Sequence, residues 1–174
     1  MRAKRKNESR VSAGKWRIRH ILKPDDLDSL VRLHGMLYAE EYGFDKTFET
    51  YVADGLAELT GSPRPEKNRL WLAEMDDRMV GCIAIVARPG NEAQLRWFLV
   101  KRDQRRLGIG TELMEKALRF SRKQGFKTVF LWTTSELDAA RRVYMRFGFG
   151  KTEEKTHTIW GKAVTEERYE LRIP

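Results

Sequence analysis

Cysteine is almost absent from this sequence. Cys82 is the only one in 174 residues, which excludes a disulfide within the chain. It sits in the apolar run Val80-Gly-Cys-Ile-Ala-Ile-Val86, a setting that suits a buried strand thiol and not the electropositive, partly exposed surroundings of a reactive one. Histidine is also sparse: His20, His34 and His157 are scattered and, with one cysteine, do not make a metal site. No apolar run approaches the roughly 18 residues of a membrane span. The basic N-terminus is followed by no apolar segment, so neither a secretory signal nor a membrane partner is expected, and the cytoplasm is the expected location. No internal repeat is present. A chain of this length supports one domain with its own core, and therefore one active site.

Charge, by contrast, is plentiful but unevenly placed. Of a net charge of +9, residues 1–19 account for most, with eight Lys or Arg against Glu8 alone. The chain is thus divided into a basic tail, residues 1–15, and a domain, residues 16–174. The tail has no aromatic residue before Trp16 to stack on bases, so it is read as a disordered, solubilising extension and nucleic acid is not an expected partner.

The order of elements is informative. Trp16–Leu22 alternates as a half-buried strand does, and Pro24 with Asp25 and Asp26 supplies the start of a helix running to about Tyr42 and stopped by Gly43. A second helix is expected over Asp45–Leu59. Strands follow at Leu70–Met75, Met79–Ala87 and Gln94–Val100, separated by turn-forming Asp76-Asp77 and Pro89-Gly90-Asn91. A helix from Gly108 to about Gln124, a strand at Thr128–Thr133 and a helix from about Asp138 to Phe147 come next. Strand-like stretches lie near Thr156–Trp160 and Arg168–Ile173. The expected fold is α/β: a mixed, mainly antiparallel sheet with one parallel strand pair and helices on both faces.

The segment between the Val100 strand and the next helix carries the chemistry. Gly108 and Gly110 have no β-carbon and sit where a helix N-terminus leaves its N–H groups without acceptors, so a phosphate can approach closely. Lys101, Arg102, Arg105 and Arg106 surround that point with positive charge. The pattern is neither a P-loop nor a dinucleotide fingerprint. Arg105-Arg-Leu-Gly108-Ile-Gly110 resembles the [Q/R]-x-x-G-x-[G/A] motif of the GNAT superfamily of N-acetyltransferases, and Ala140-Arg-Arg-Val-Tyr144-Met-Arg-Phe-Gly148-Phe149 is similar to that family's A-x-x-x-Y-x-x-x-G-F ending. Further stretches, Arg32–Phe44, Leu95–Val100, Leu131–Thr133 and Trp160-Gly161, look like the acetyltransferase half of bacterial fusions between a MarR-type regulator and a GNAT domain, in a free-standing form.

The resemblance implies acetyl-CoA as cosubstrate and an amine as acceptor. It also implies pantetheine contacts from Phe98, Leu99 and Val100, and diphosphate contacts from Arg105, Arg106, Leu107, Gly108, Ile109, Gly110 and Thr111. It makes Tyr144 the acid for the departing sulfur and places the acceptor against the first two helices. The family's cofactor-contacting Asn is Leu137 here, so Thr134, Ser135 or Asp138 is expected to supply that hydrogen bond. Freed backbone N–H groups near Leu99 and Val100, at a bulge, are expected to face the thioester carbonyl. No side chain stands in a nucleophile-plus-base pattern, so direct transfer in a ternary complex is expected. Glu92, Glu40 and Glu41 are the candidate bases, while His34 and His157 read as packed residues. Other readings are a non-catalytic acyl-CoA sensor and a nucleic-acid-binding protein working through its tail; a homodimer is compatible with the sequence. Deleting residues 1–15 is expected to leave the thermal midpoint and acetyl transfer to a small amine unchanged, because so few apolar side chains leave with them. A midpoint lowered by several degrees, or lost transfer, would refute the tail assignment.

Overall fold

The computed structural model describes residues 15–174; residues 1–14, and with them almost all of the basic tail, lie outside the described residues. The elements in chain order are β1 (Arg17–Arg19), α1 (Asp26–Tyr42), α2 (Thr47–Thr60), β2 (Arg69–Met75), β3 (Arg78–Arg88), β4 (Glu92–Val100), α3 (Ile109–Lys123), β5 (Thr128–Thr134), α4 (Asp138–Arg146), β6 (Gly150–Ile159) and β7 (Lys162–Arg172). The strands form one sheet in the order β1-β2-β3-β4-β5-β7-β6. Every neighbouring pair is antiparallel except β4–β5. The mixed α/β architecture read from the sequence is therefore the one observed. No helix among the described residues is long and apolar enough to cross a membrane.

Two apolar layers sandwich the sheet, and strand alternation decides which residue joins which. On one face Trp71, Ile83, Ile85, Ala93 and Leu95 pack with Leu113, Met114 and Ala117 of α3. On the other, Leu70, Leu72, Cys82 and Ala84 pack with Leu30 and Leu33 of α1 and Val52 and Leu56 of α2.

The strands read least accurately from the sequence are the last two. β6 begins at Gly150 and β7 at Lys162, so both are longer than the Thr156–Trp160 and Arg168–Ile173 stretches. β6 is the sheet edge, and Gly150–Thr156 is exposed throughout, so it lacks the apolar alternation that marks a strand. Its pairing with β7 holds it. Trp160 and Gly161 make the two-residue turn between them, both at positive φ (51° and 82°), as the twist of a tight hairpin favours. The first strand shrinks to Arg17–Arg19 because β2 offers partners only there.

An ion network fastens this short edge strand. Arg19 donates to Asp26 at the start of α1 (2.6 Å) and to Glu74 of β2 (2.7 Å), and Glu74 also receives Arg17 (2.9 Å) and Lys23 (3.1 Å). The Glu74 side chain is only 4% exposed. Its hydrogen bonds from Arg19 first, with Arg17 and Lys23 behind, hold its pKa down to about 2 against an ordinary 4.5. A carboxylate depressed in the folded state stabilises above its unfolded pKa, and that contribution is lost as the pH falls through the folded value. Glu74→Gln should therefore cost about 3 kcal/mol near pH 7, which for a domain of this size is roughly 6–12 °C in thermal midpoint. The gap between variant and wild type should close between about pH 4.5 and 2. A midpoint difference that is negligible, or constant over that range, would contradict the assignment.

Candidate active site

The site begins with a failure of pairing. Parallel β4 and β5 are in register only over Glu92–Gln94 and Thr128–Phe130. Beyond Gln94 they part, β4 running on to Val100 and β5 to Thr134 alongside β7. A wedge opens between them in the middle of the sheet.

At the mouth of the wedge β4 carries a bulge. Ala84 pairs with Arg96 and Cys82 with Leu99, so Trp97 and Phe98 together face Ile83 alone. Trp97 has φ 50°, an unusual conformation for a bulky residue. The extra residue reverses the strand's phase. Ala93 and Leu95 face α3, whereas Trp97 and Leu99 pack on the α1/α2 side, and Phe98 and Val100 turn back towards α3. The Cys82 thiol donates to the Trp97 carbonyl at 3.0 Å, and burial pushes its pKa far above the ordinary range, so it is inert as a nucleophile. The bulge expected near Leu99 and Val100 thus lies one to two residues earlier: Leu99 and Val100 are themselves paired with β3.

The loop from β4 to α3 follows. Arg106 (φ 68°) and Gly108 (φ 95°) both take left-handed backbone, a winding that turns successive N–H groups towards one point. Gly108 is the N-cap of α3, and no side chain caps that end. The first helical bond runs from the Glu112 N–H to the Gly108 carbonyl (3.0 Å), leaving the N–H groups of Gly108, Ile109, Gly110 and Thr111 without a helical acceptor. A β-carbon on Gly108 would meet nothing nearer than the Trp16 ring at 3.8 Å, so its positive φ and not crowding is what calls for glycine there. Gly110 serves a different purpose: a β-carbon there would press on Phe98 at 3.3 Å, so its absence lets α3 close onto β4. Thr111 receives the Arg146 guanidinium of α4 (2.7 Å), and the Trp16 indole N–H donates to Glu112 (2.9 Å), which ties the chain before β1 to this turn.

Arg105 behaves differently from its neighbours. Its Nε donates to the Val100 carbonyl (3.0 Å), and its two terminal nitrogens grip both oxygens of Glu41 at 2.9 and 2.7 Å. The guanidinium is committed to bolting the end of β4 to α1. Glu41 is in turn engaged in that clamp, with one lone pair of each oxygen taken by Arg105. Glu92 is not brought to the site either: it lies where β4 and β5 are still paired, six residues from Phe98, roughly 20 Å along the strand. Ser135 follows β5 and donates its N–H to the Thr165 carbonyl (2.9 Å).

Tyr144 of α4 does meet the wedge. It is 4% exposed, its ring lies 5.8 Å from that of Phe98, and burial alone raises its pKa well above the ordinary phenol value. It lines a cleft shared with Trp97, Phe98, Thr133, Thr134 and His34. The far wall of the cleft is aromatic: Trp160 of the β6–β7 turn packs on Phe44 and Phe48 at 4.9 Å and Tyr51 at 5.3 Å. Gly55 leaves room for Arg96, whose guanidinium lies over the Trp97 ring at 4.5 Å. Glu166, paired with His157 at 2.7 Å, is a carboxylate on the lining.

Arg96, Trp97, Thr133 and Glu166 are not singled out in the sequence, and His34 is read there as a packed residue. One signal was present. The alternation of Gln94-Leu95-Arg96 breaks into the four-residue apolar run Trp97-Phe98-Leu99-Val100, which is the imprint of the bulge.

Comparison with known proteins agrees with this geometry. The model of the acetyltransferase (GNAT) family matches residues 31–149. The chain is 34% identical over 133 residues to "Probable N-acetyltransferase camello" of Xenopus laevis, covering 71% of this chain and 60% of that protein. It is 31% identical to an uncharacterized N-acetyltransferase of Schizosaccharomyces pombe, covering 77% and 82%. The match thus spans between about two fifths and just under two thirds of the length of the vertebrate relatives. Among solved structures, an acetyltransferase from Streptococcus agalactiae shares the fold with a TM-score of 0.73 at 20% identity, over 91% of this chain and 98% of that one. Salmonella typhimurium yncA, solved with its cofactor acetyl-CoA, superposes with a TM-score of 0.68 at 16% identity, covering 91% and 94%. With a family model that spans most of its length and a fold shared across these structures, the chain belongs to the acetyltransferase (GNAT) family.

Proposed function

We propose that this chain transfers an acetyl group from acetyl-CoA to an amine by direct attack within a ternary complex. The observation that carries this is the conjunction of an uncapped, glycine-headed helix N-terminus with the wedge between β4 and β5, beside a buried tyrosine. The free N–H groups of Gly108–Thr111, with the helix dipole behind them and the Arg106 side chain exposed nearby, suit the diphosphate of coenzyme A. The backbone of Phe98–Val100 lines the wedge into which the pantetheine arm fits, and Ser135, just after β5, is the candidate for a further cofactor hydrogen bond.

The thioester supplies the acetyl group. The protein's part is to position and to stabilise charge. The bulge gives the Trp97–Phe98 backbone a direction outside the ladder, and an N–H freed there is placed to donate to the thioester oxygen, a task ascribed earlier to Leu99 and Val100. Tyr144, kept protonated by burial, offers its hydroxyl as a hydrogen-bond donor to the leaving sulfur. In sum the amine gives up one N–H proton, the new N–C bond replaces the C–S bond, and one proton ends on the coenzyme A sulfur. Glu166 is on the cleft lining but is held by Lys155 at 3.4 Å and His157 at 2.7 Å, and the amine enters the cleft unprotonated. Arg105 acts through its clamp on Glu41 and contributes to cofactor binding through its loop, not its guanidinium.

Two measurements test this. Gly108→Val forces a branched side chain into a φ of 95° and should weaken acetyl-CoA binding by roughly ten- to hundredfold in calorimetry while the thermal transition stays cooperative. Unchanged affinity in the folded variant would exclude the site. Tyr144→Phe keeps the packing on Phe98 and Phe149 and should lower kcat for coenzyme A release about a hundredfold with acetyl-CoA affinity unchanged, across a panel of primary amines. Equal turnover would reduce Tyr144 to a core residue.

A further inference from the structure

Among the described residues, four buried side-chain polar atoms have no hydrogen-bond partner: His34 Nε2, Trp97 Nε1, Thr133 Oγ1 and Thr134 Oγ1. All four residues line one cleft, the one that also holds Tyr144. An unmet buried polar group costs about 1–3 kcal/mol, and interiors satisfy nearly all of them, so a concentration of four in one place marks a surface shaped for a polar ligand.

The chemistry of each atom restricts that ligand. His34 is 2% exposed, and its Nδ1 lies 3.0 Å from the Leu30 carbonyl. A carbonyl only accepts, so Nδ1 carries the proton and Nε2 of the neutral ring is a bare lone pair. Burial pushes the His34 pKa down to about 4, so the ring is neutral at pH 7. Tyr38 stacks on the imidazole with centroids 6.0 Å apart and planes 20° apart, which fixes the direction in which that lone pair points. Trp97 Nε1 is a donor and nothing else, and the bulge has swung it to the α1 side of the sheet, where His34 also stands. The two threonine hydroxyls serve either role. A ligand that satisfies both therefore gives one donor hydrogen to His34 and one acceptor atom to Trp97.

We propose that His34 grips the acceptor: its bare Nε2 takes an N–H of the incoming amine, while the Trp97 indole N–H donates to an oxygen that the acceptor carries close to that amine. The substrate class is a primary amine with a neighbouring carbonyl or similar oxygen, its substituent lying against Tyr38, Phe48 and Trp160. A neutral imidazole suits this role. It binds the amine without adding a positive charge beside it, and it directs one N–H away so that the nitrogen lone pair is left for the thioester. His34 is thus a binding group and not the base.

The inference rests on the transferase reading above, so its test keeps the two apart by measuring acetyl-CoA affinity alongside. The probe is L-phenylalaninamide, which has a primary amine, an adjacent amide oxygen and an aromatic substituent. In protein labelled with 15N in its histidine rings and saturated with coenzyme A, His34 should appear as the Nδ1–H form at pH 7, and its Nε2 resonance should move upfield when the probe is added. His34→Phe should raise KM for the probe roughly ten- to hundredfold with acetyl-CoA affinity unchanged. His34→Gln, whose amide oxygen reaches the same place, should recover most of that loss. The proposal is overturned if His34 carries its proton on Nε2, if the probe leaves its resonance unmoved, if His34→Phe acetylates the probe as wild type does, or if His34→Gln is as impaired as His34→Phe. Loss of acetyl-CoA binding in the wild-type protein would instead overturn the transferase reading.

Discussion

The structure turns on one extra residue in β4. A strand has a period of two, so a single insertion transfers every later side chain to the opposite face. Without the bulge, Trp97 would join Ala93 and Leu95 under α3; with it, Trp97 stands among the α1 and α2 residues and Phe98 is aimed at Tyr144. The same distortion coincides with the parting of β4 from β5 after Gln94. A sheet interior normally has no place for a ligand, because its backbone groups are already paired. Here the parting releases backbone from pairing in the middle of the core, with α3, α4 and α1 gathered round it. The cost of the strained Trp97 backbone is offset by its surroundings: the Cys82 thiol on its carbonyl and the Arg96 guanidinium over its ring.

The charges at the site divide between holding the scaffold and leaving groups available to a ligand. Arg105, Glu41 and the Val100 carbonyl form a closed triad that fixes the end of β4 to α1. The helix N-terminus beside it remains uncapped. Surface ion pairs contribute little on average, but a bidentate one with a further backbone bond, partly shielded, is geometrically specific, and here it sets the distance between α1 and the strand.

The sequence displayed the fold class and the glycine-headed start of α3 because both rest on local signals. Gly108 and Gly110 follow a strand and open a helix, and the apolar faces of α1 and α3 have helical spacing. Edge strand β6 was half hidden because its exposed Lys, Thr and Glu residues have no buried face to impose alternation. The surroundings of Glu41 and Glu92, the candidate bases, were hidden for a different reason. A carboxylate's role depends on what stands across from it in space, and the partner of Glu41 is 64 residues away. His34 looked like a packed helix residue and is one; only the orphaned Nε2, invisible without the Leu30 carbonyl and the cleft, distinguishes it.

The central claim is that acetyl-CoA enters the parted strands and rests its phosphates on the head of α3. The most direct measurement is a map of backbone amide resonances in 15N-labelled protein as acetyl-CoA is added. The account predicts that the largest changes fall on Arg106–Thr111 and on Trp97–Val100, in one saturable phase. Changes confined to the basic groove formed by Arg69, Lys116, Arg119 and Lys123 on the far side of α3, with the Gly108 and Gly110 amides unmoved, would contradict it.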